Sequence, residues 1–240
     1  MIGAVVALNG CGQVDGSGNP AGEGQDDGWT TAPRIEGVSL NGRQAVIAGS
    51  AASGARVLLR GDGGEAFAAG ADGKGRFEMS VALNDESMIL IPEVQQGQDA
   101  IKGPQRLVIL PDAGLAVLQT DGGGSQRLTP GPILDAIDSD GRALVASGRG
   151  RAGQNVRISV PGRFQTTIKV GDDMRWSTSL SGVGVQGFDL EVEGQSFAYP
   201  GVGEGIENTE NQRLEAISGG WRLTRKLGGK AYLSSWFPNR

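Results

Sequence analysis

Asn41–Leu59 reads NGRQAVIAGSAASGARVLL, and 99 positions later Asp140–Ile158 reads DGRALVASGRGRAGQNVRI. The two stretches align without a gap, and the match runs on to either side. Pro33/Pro132, Gly42/Gly141, Arg43/Arg142, Val46/Val145, Gly49/Gly148, Gly54/Gly153, Val57/Val156, Gly63/Gly162, Arg76/Arg175 and Ser80/Ser179 are identical, ten pairs in the 48 positions from 33 to 80. Ile35/Leu134, Val38/Ile137, Leu59/Ile158 and Phe77/Trp176 keep their apolar class. Six of the ten identities are not glycine, so a glycine-rich composition does not produce them. The chain carries two copies of one unit.

Each copy reads as strands. QAVIAG, ARVLLR, EAFAAGA and RFEMSVAL in the first copy are short runs bounded by turn residues, as are ALVASG, NVRISV, FQTTIKV and RWSTSLS in the second. MILIPEV and QRLVILP follow in copy one, with Pro92 favouring an edge or a strand end, and FDLEVEG and SFAYPG follow in copy two. Strands at this spacing in copies of this length predict an all-β chain of two tandem β-sandwich domains. The expected organisation is a leader remnant over 1–11, a flexible linker over 12–32, domain one over 33–112 and a linker over 113–131. Domain two then spans 132–201, and 202–240 is a C-terminal extension with a β-hairpin.

The pattern from Gly49 to Val57 and from Gly148 to Val156, followed by a Gly/Asp-rich turn and GRF or MRW, resembles bacterial Ig-like repeats of cell-envelope and surface proteins. The resemblance implies that Gly54 and Gly153 sit in tight turns, that the next strand points Val and Leu inward, and that Phe77 and Trp176 plug the cores. It speaks to fold, since such sandwiches serve as spacers, adaptors and binding modules alike.

Composition narrows the function. The 240 residues include 42 glycines, one cysteine and no histidine, and the formal net charge is −5. The commonest general base and the commonest transition-metal ligand are therefore missing, and one cysteine makes neither a disulfide within the chain nor a cysteine-based zinc site. No overall basic field favours nucleic acid. No nucleophile–base arrangement is legible, so no catalytic residue, cofactor or metal is assigned.

Short motifs compete with simpler readings. Arg60-Gly61-Asp62 has no counterpart in copy two, where Ser159-Val160-Pro161 stands. The acidic turns ADGKGRF and VGDDMRW offer too few oxygens for Ca²⁺ and read as turn formers. Arg149 and Arg151, in SGRGRAG with Arg157 and Arg163 nearby, offer an anion a docking place, against a simple solvated loop.

The only cysteine sits near the start. The apolar run MIGAVVAL leads into Leu8-Asn9-Gly10-Cys11, which resembles the lipobox of a bacterial lipoprotein, with Leu8, Gly10 and Cys11 in its pattern. The resemblance implies lipidation of Cys11, anchoring in the bilayer through that acylated cysteine, and a cell-envelope location. Gly12 behind the cysteine implies sorting to the outer membrane. GQVDGSGNPAGEGQDDG, positions 12 to 28, then reads as a tether. The expectation is a non-enzymatic structural or adaptor protein whose partner is another envelope protein or the cell-wall glycan. At the C-terminus, Trp221, Arg222, Arg225 and Trp236 are the candidate partner-binding residues, because Trp and Arg dominate interface hot spots. The alternative is a carbohydrate- or peptidoglycan-binding module in which Trp221 and Trp236 stack on sugars. A hairpin that simply packs on the second sandwich is the plainer reading of the same stretch.

Overall fold

A computed structural model describes residues 31–96, 99–120, 122–205, 211–229 and 231–239. Cys11 and nearly all of the expected tether lie outside these residues. Every described element is a strand. Copy one forms β1 (Arg34–Asn41), β2 (Gln44–Ser50), β3 (Arg56–Gly61), β4 (Ala66–Gly70), β5 (Arg76–Ala82), β6 (Met88–Gln96), β7 (Asp99–Lys102) and β8 (Gln105–Leu110). β9 (Leu115–Thr120) and β10 (Gln126–Arg127) come next. Copy two forms β11 (Leu134–Ser139), β12 (Leu144–Arg149), β13 (Asn155–Val160), β14 (Phe164–Lys169), β15 (Arg175–Ser179), β16 (Phe188–Val192) and β17 (Gln195–Tyr199). The chain ends with β18 (Gln212–Ile217), β19 (Gly220–Gly228) and β20 (Ala231–Pro238).

All pairings are antiparallel, in four sheets. Sheet I runs β1-β2-β5, and sheet II runs β10-β9-β8-β6-β3-β4 with β7 on β6. Sheet III runs β15-β12-β11-β20-β19-β18, and sheet IV runs β14-β13-β16-β17. The copies keep register in detail: β1 and β11 both carry a bulge against their partner, between Ile35 and Gly37 and between Leu134 and Ala136. Gly54 and Gly153 both take positive φ, 69° and 76°, the backbone of the tight turn expected there. Gly49 and Gly148 are glycine for a different reason. A Cβ on Gly49 would stand 2.1 Å from the Arg34 carbonyl oxygen and 2.5 Å from the Phe77 ring, and on Gly148 2.1 Å from the Ile133 oxygen and 2.4 Å from the Trp176 ring. Backbone and aromatic close on the same spot in both copies.

Sheets I and II enclose one core, with Ile35, Ile47, Leu59, Val81, Leu90 and Leu107 at its centre and Phe77 in a smaller cluster with Val57 and Val94. Sheets III and IV enclose another around Leu134, Ile158, Trp176, Leu190, Tyr199 and Trp236. A third apolar layer lies between sheets II and III. Ile89, Val108, Leu110, Leu115 and Val117 meet Ala136, Leu223 and Phe237 there. Strand alternation supplies both faces: Leu107 and Ile109 of β8 enter the first core, while Val108 and Leu110 enter the seam. Thr31–Arg240 form one compact unit.

Three expectations are corrected. Residues 113–131 are not a bare linker, because β9 and β10 widen sheet II and β9 is buried on both faces. The C-terminal hairpin is a three-stranded meander, and β20 pairs along β11, so it is part of sheet III. Pro92 sits inside β6 with β3 on one side and, on the other, the gap between the β8 pairing at Met88–Leu90 and the β7 pairing from Glu93. Its missing N–H therefore costs no bond on that side.

Candidate functional site

Strand β11 brings two carboxylates to the seam. Asp135 is fully buried and holds two guanidiniums: Arg149 from β12 donates to Oδ1 at 2.7 Å, and Arg175 from β15 donates to Oδ2 at 2.5 Å. Arg149 also donates to the carbonyl oxygens of Thr129 and Arg127 at 3.1 and 2.7 Å, and Arg175 to Arg127 at 3.0 Å. These two side chains clamp the crossing segment behind β10. Burial pushes the Asp135 carboxyl up, and the two guanidiniums oppose that shift.

Asp138, one pleat on, accepts from the Ser125 N–H and hydroxyl, both at 2.7 Å. Burial pushes its carboxyl above the ordinary range, against these bonds and one from Ser235. Gln119 of β9 donates to the Ser235 hydroxyl at 2.7 Å, and Arg127 donates to the Pro238 carbonyl oxygen at 2.6 Å. Polar bonds thus cross from sheet II to sheet III beside the apolar layer. The copy-one equivalents of Asp135 and Asp138 are Glu36 and Ser39, both exposed.

Two of the grooves among the described residues lie over sheet III. One, of about 780 Å³, runs over the open end of sheet III between Gly123-Gly124, Ser139, Ser177, Ser179 and the β19–β20 turn, where Leu227 is 48% exposed. Hydroxyls of Ser177, Thr178 and Ser179 share its lining with charged Arg106, Asp140 and Lys226 and with Val145, Leu227 and Leu233, a mixed surface that suits a polar extended ligand. The other, of about 480 Å³, lies over Arg149, Arg151, Gln154, Asp173 and Met174. Met174 takes φ 61° and stands 59% exposed, at the position where copy one has Gly75 with φ 75°.

The expected C-terminal face is not presented to solvent. Trp236 is 2% exposed within the second core, Arg222 and Arg225 are each 8% exposed, and Trp221 is half-buried against the seam. The plainer reading, a hairpin that packs on the second sandwich, is the one closer to the structure: β20 pairs with β11 and Trp236 enters the second core. Arg149 is bound to Asp135, whereas Arg151, Arg157 and Arg163 are exposed. Arg60 pairs with Glu93, and Asp62 accepts from Gln212 at 2.5 Å, so the Arg-Gly-Asp side chains are engaged within the chain. Asp72 accepts the N–H groups of Lys74 and Arg76, and Asp173 that of Arg175, as turn formers do. The carboxylates of β11, with Ser125, Gln119 and Ser235, escaped the sequence reading. Their one signal is Asp at 135 and 138 among the apolar Leu134, Ala136 and Ile137.

No family model and no curated protein matches the chain. Among solved structures, one titled "Ca2+-stabilized adhesin helps an Antarctic bacterium reach out and bind ice" is similar at 14% identity with a TM-score of 0.23. The match covers 88% of this chain and 49% of that one, so the chain spans about half of that structure's length.

Proposed function

We propose that the chain is a non-enzymatic protein of the bacterial cell envelope, anchored through a lipid on Cys11 and acting as a structural adaptor built on Ig-like sandwiches. The observation that supports this most is the seam. The pairs of Asp135 with Arg149 and Arg175 lie within sheet III, and from there both guanidiniums donate across to the Arg127 carbonyl of sheet II. Gln119 of sheet II donates to Ser235 of sheet III, and these crossing bonds and the apolar layer support one stiff body. Partners then meet the strand edges and rims of that body, and the partner is another envelope protein or the cell-wall glycan. A glycan would fit the hydroxyl-lined groove at Ser139, Ser177 and Ser179 better than the buried Trp236.

Fractionation tests the anchor. With a complete upstream signal, the wild type is expected in the outer-membrane fraction and Cys11→Ala in the soluble one, since two acyl chains give stable anchoring and one does not. Equal membrane association of both, with an intact mass that begins before Cys11, overturns the lipid anchor. Purified peptidoglycan then separates the partners: sedimentation with it supports the glycan, and its absence the protein.

A further inference from the structure

The two copies differ at one edge. In copy two, β20 lies along the outer side of β11 with Ile137 opposite Trp236, Asp138 opposite Ser235 and Ser139 opposite Ser234. The copy-one equivalents are Val38, Ser39 and Leu40 of β1, which meet β2 in the same register as their counterparts meet β12. Yet β1 is the edge of sheet I. After β8 the chain turns into β9 and β10 of sheet II, and no described strand returns to β1.

The direction of the free groups follows from neighbouring bonds. The Arg43 carbonyl oxygen accepts the Leu83 N–H on the β5 side, so alternation turns Ala45 and Ile47 to β5 and Gln44 and Val46 to β1. Ser39 and Asn41 therefore bond to β2, and Val38 and Leu40 turn their N–H and C=O groups outward. Upstream the edge is closed: the Gln105 side-chain amide takes both the N–H and the C=O of Ile35, at 2.7 and 3.2 Å. From Val38 to Leu40 the edge has no Lys, Pro or bulge, the usual protections of an exposed strand. Val38 and Leu40 are half-buried against the first core, whereas Ile137 and Ser139 are 0% and 1% exposed under β20.

We propose that the Val38–Leu40 edge of β1 is a strand-accepting site for an extended segment of a partner protein, running antiparallel to β1. The arrangement around β11 gives the chemistry of that segment: a large apolar residue opposite Val38, pointing into the first core as Trp236 does into the second, and small hydroxyl residues opposite Ser39 and Leu40. The Gly-, Asp- and Pro-rich stretch at positions 12 to 28 of this chain lacks that pattern. The site deepens the adaptor reading and rests on it only for the existence of a protein partner.

Residue-resolved hydrogen exchange on the full chain tests the site, with a synthetic peptide copying Ala231–Asn239 as the probe. In the free chain the Val38 and Leu40 amides exchange fast and the Ser39 amide slowly. Saturating peptide slows Val38 and Leu40 about tenfold or more and leaves Ser39 unchanged. Val38→Pro, which removes an outward N–H and none from the β1–β2 ladder, weakens that binding about tenfold. Should this variant not fold, the wild-type exchange pattern decides alone. Four outcomes overturn the proposal. They are slow exchange at both amides in dilute free chain, no response to peptide, protection that grows with protein concentration alone (a second copy), and protection lost on removing residues 1–30 (the chain's own N-terminus). None of these depends on whether Cys11 carries lipid, so failure here and failure of the anchor are read separately.

Discussion

Trp236 and Phe237 are consecutive in β20 and are buried in different cores: Trp236 lies edge-on to Tyr199 in the second sandwich, and Phe237 lies in the seam against sheet II. The pleat alone does this, and a slip of one residue would exchange the two. Truncating either to Ala is expected to cost about 3–5 kcal/mol. The sites of damage differ. Phe237→Ala should speed hydrogen exchange around Ile89 and Val117 in the first sandwich, and Trp236→Ala around Leu190 in the second. Identical exchange patterns in both variants would contradict the separate cores.

Gly49 and Gly148 make the next prediction. Neither has room for a Cβ between a carbonyl oxygen and an aromatic ring, so Gly49→Ala and Gly148→Ala each force a backbone or ring shift costing about 1–3 kcal/mol or more. Gly37→Ala is the control, because nothing lies within 4 Å of its Cβ position. Urea midpoints of the three variants check this. Gly37→Ala should move least.

Much of the fold was legible because the repeat fixes register: β3 and β13 stand 99 residues apart at both ends, and the bulges at Ile35 and Leu134 coincide. What stayed hidden is two-sided burial. Leu115–Thr120 has apolar residues on both faces, so it lacks the alternation that marks a half-exposed strand. Trp236 and Phe237 hide for the same reason, since the first enters the second core and the second enters the seam. The seam carboxylates were illegible because their partners, Arg149 and Arg175, are set by folding rather than by spacing.

Asp135→Asn removes the charge that two part-buried guanidiniums share. Breaking a buried pair by deleting one partner costs about 3–5 kcal/mol, and here Arg149 and Arg175 both lose theirs. Replacing Arg149 by Met leaves Asp135 with Arg175 and should cost less than the Asn variant. Chemical denaturation of both variants gives the order, and a smaller loss in Asp135→Asn would show that the ion cluster is not what clamps the seam.

Asp138 gives a pH dependence with a definite sign. Burial raises its folded pKa above the ordinary value of 3.8, so the folded chain binds the proton more readily than the unfolded chain. The stability linked to this group is full below that value and is lost as pH rises through the folded pKa. Asp72 and Asp140 are held low by backbone N–H bonds and act the opposite way, below 3.8, as surface groups. The urea midpoint should therefore fall as pH rises from 3.8 through the folded pKa of Asp138, with Asp135, also raised by burial, adding to the fall. Asp138→Asn should flatten that fall, and an unchanged slope would reject the assignment.

Deleting residues 212–240 is the sharpest test of how the C-terminus is built in. A separable hairpin would leave both sandwiches melting as before. In the structure the deletion removes β18, β19 and β20, uncovers the outer edge of β11, and takes Trp236 from the second core with Leu223 and Phe237 from the seam. Asp138 loses Ser235 and Arg127 loses the Pro238 carbonyl, leaving buried polar groups to desolvate unpaired. Each large apolar side chain lost from a core removes about 1.5–3 kcal/mol, and a domain holds only about 5–15 in total. The truncated chain should therefore lose its cooperative transition in the second sandwich and expose sheet II, shown by dye binding and aggregation. A truncated chain that melts like the full one, with β11 amides still protected, would show that the meander is dispensable to sheet III.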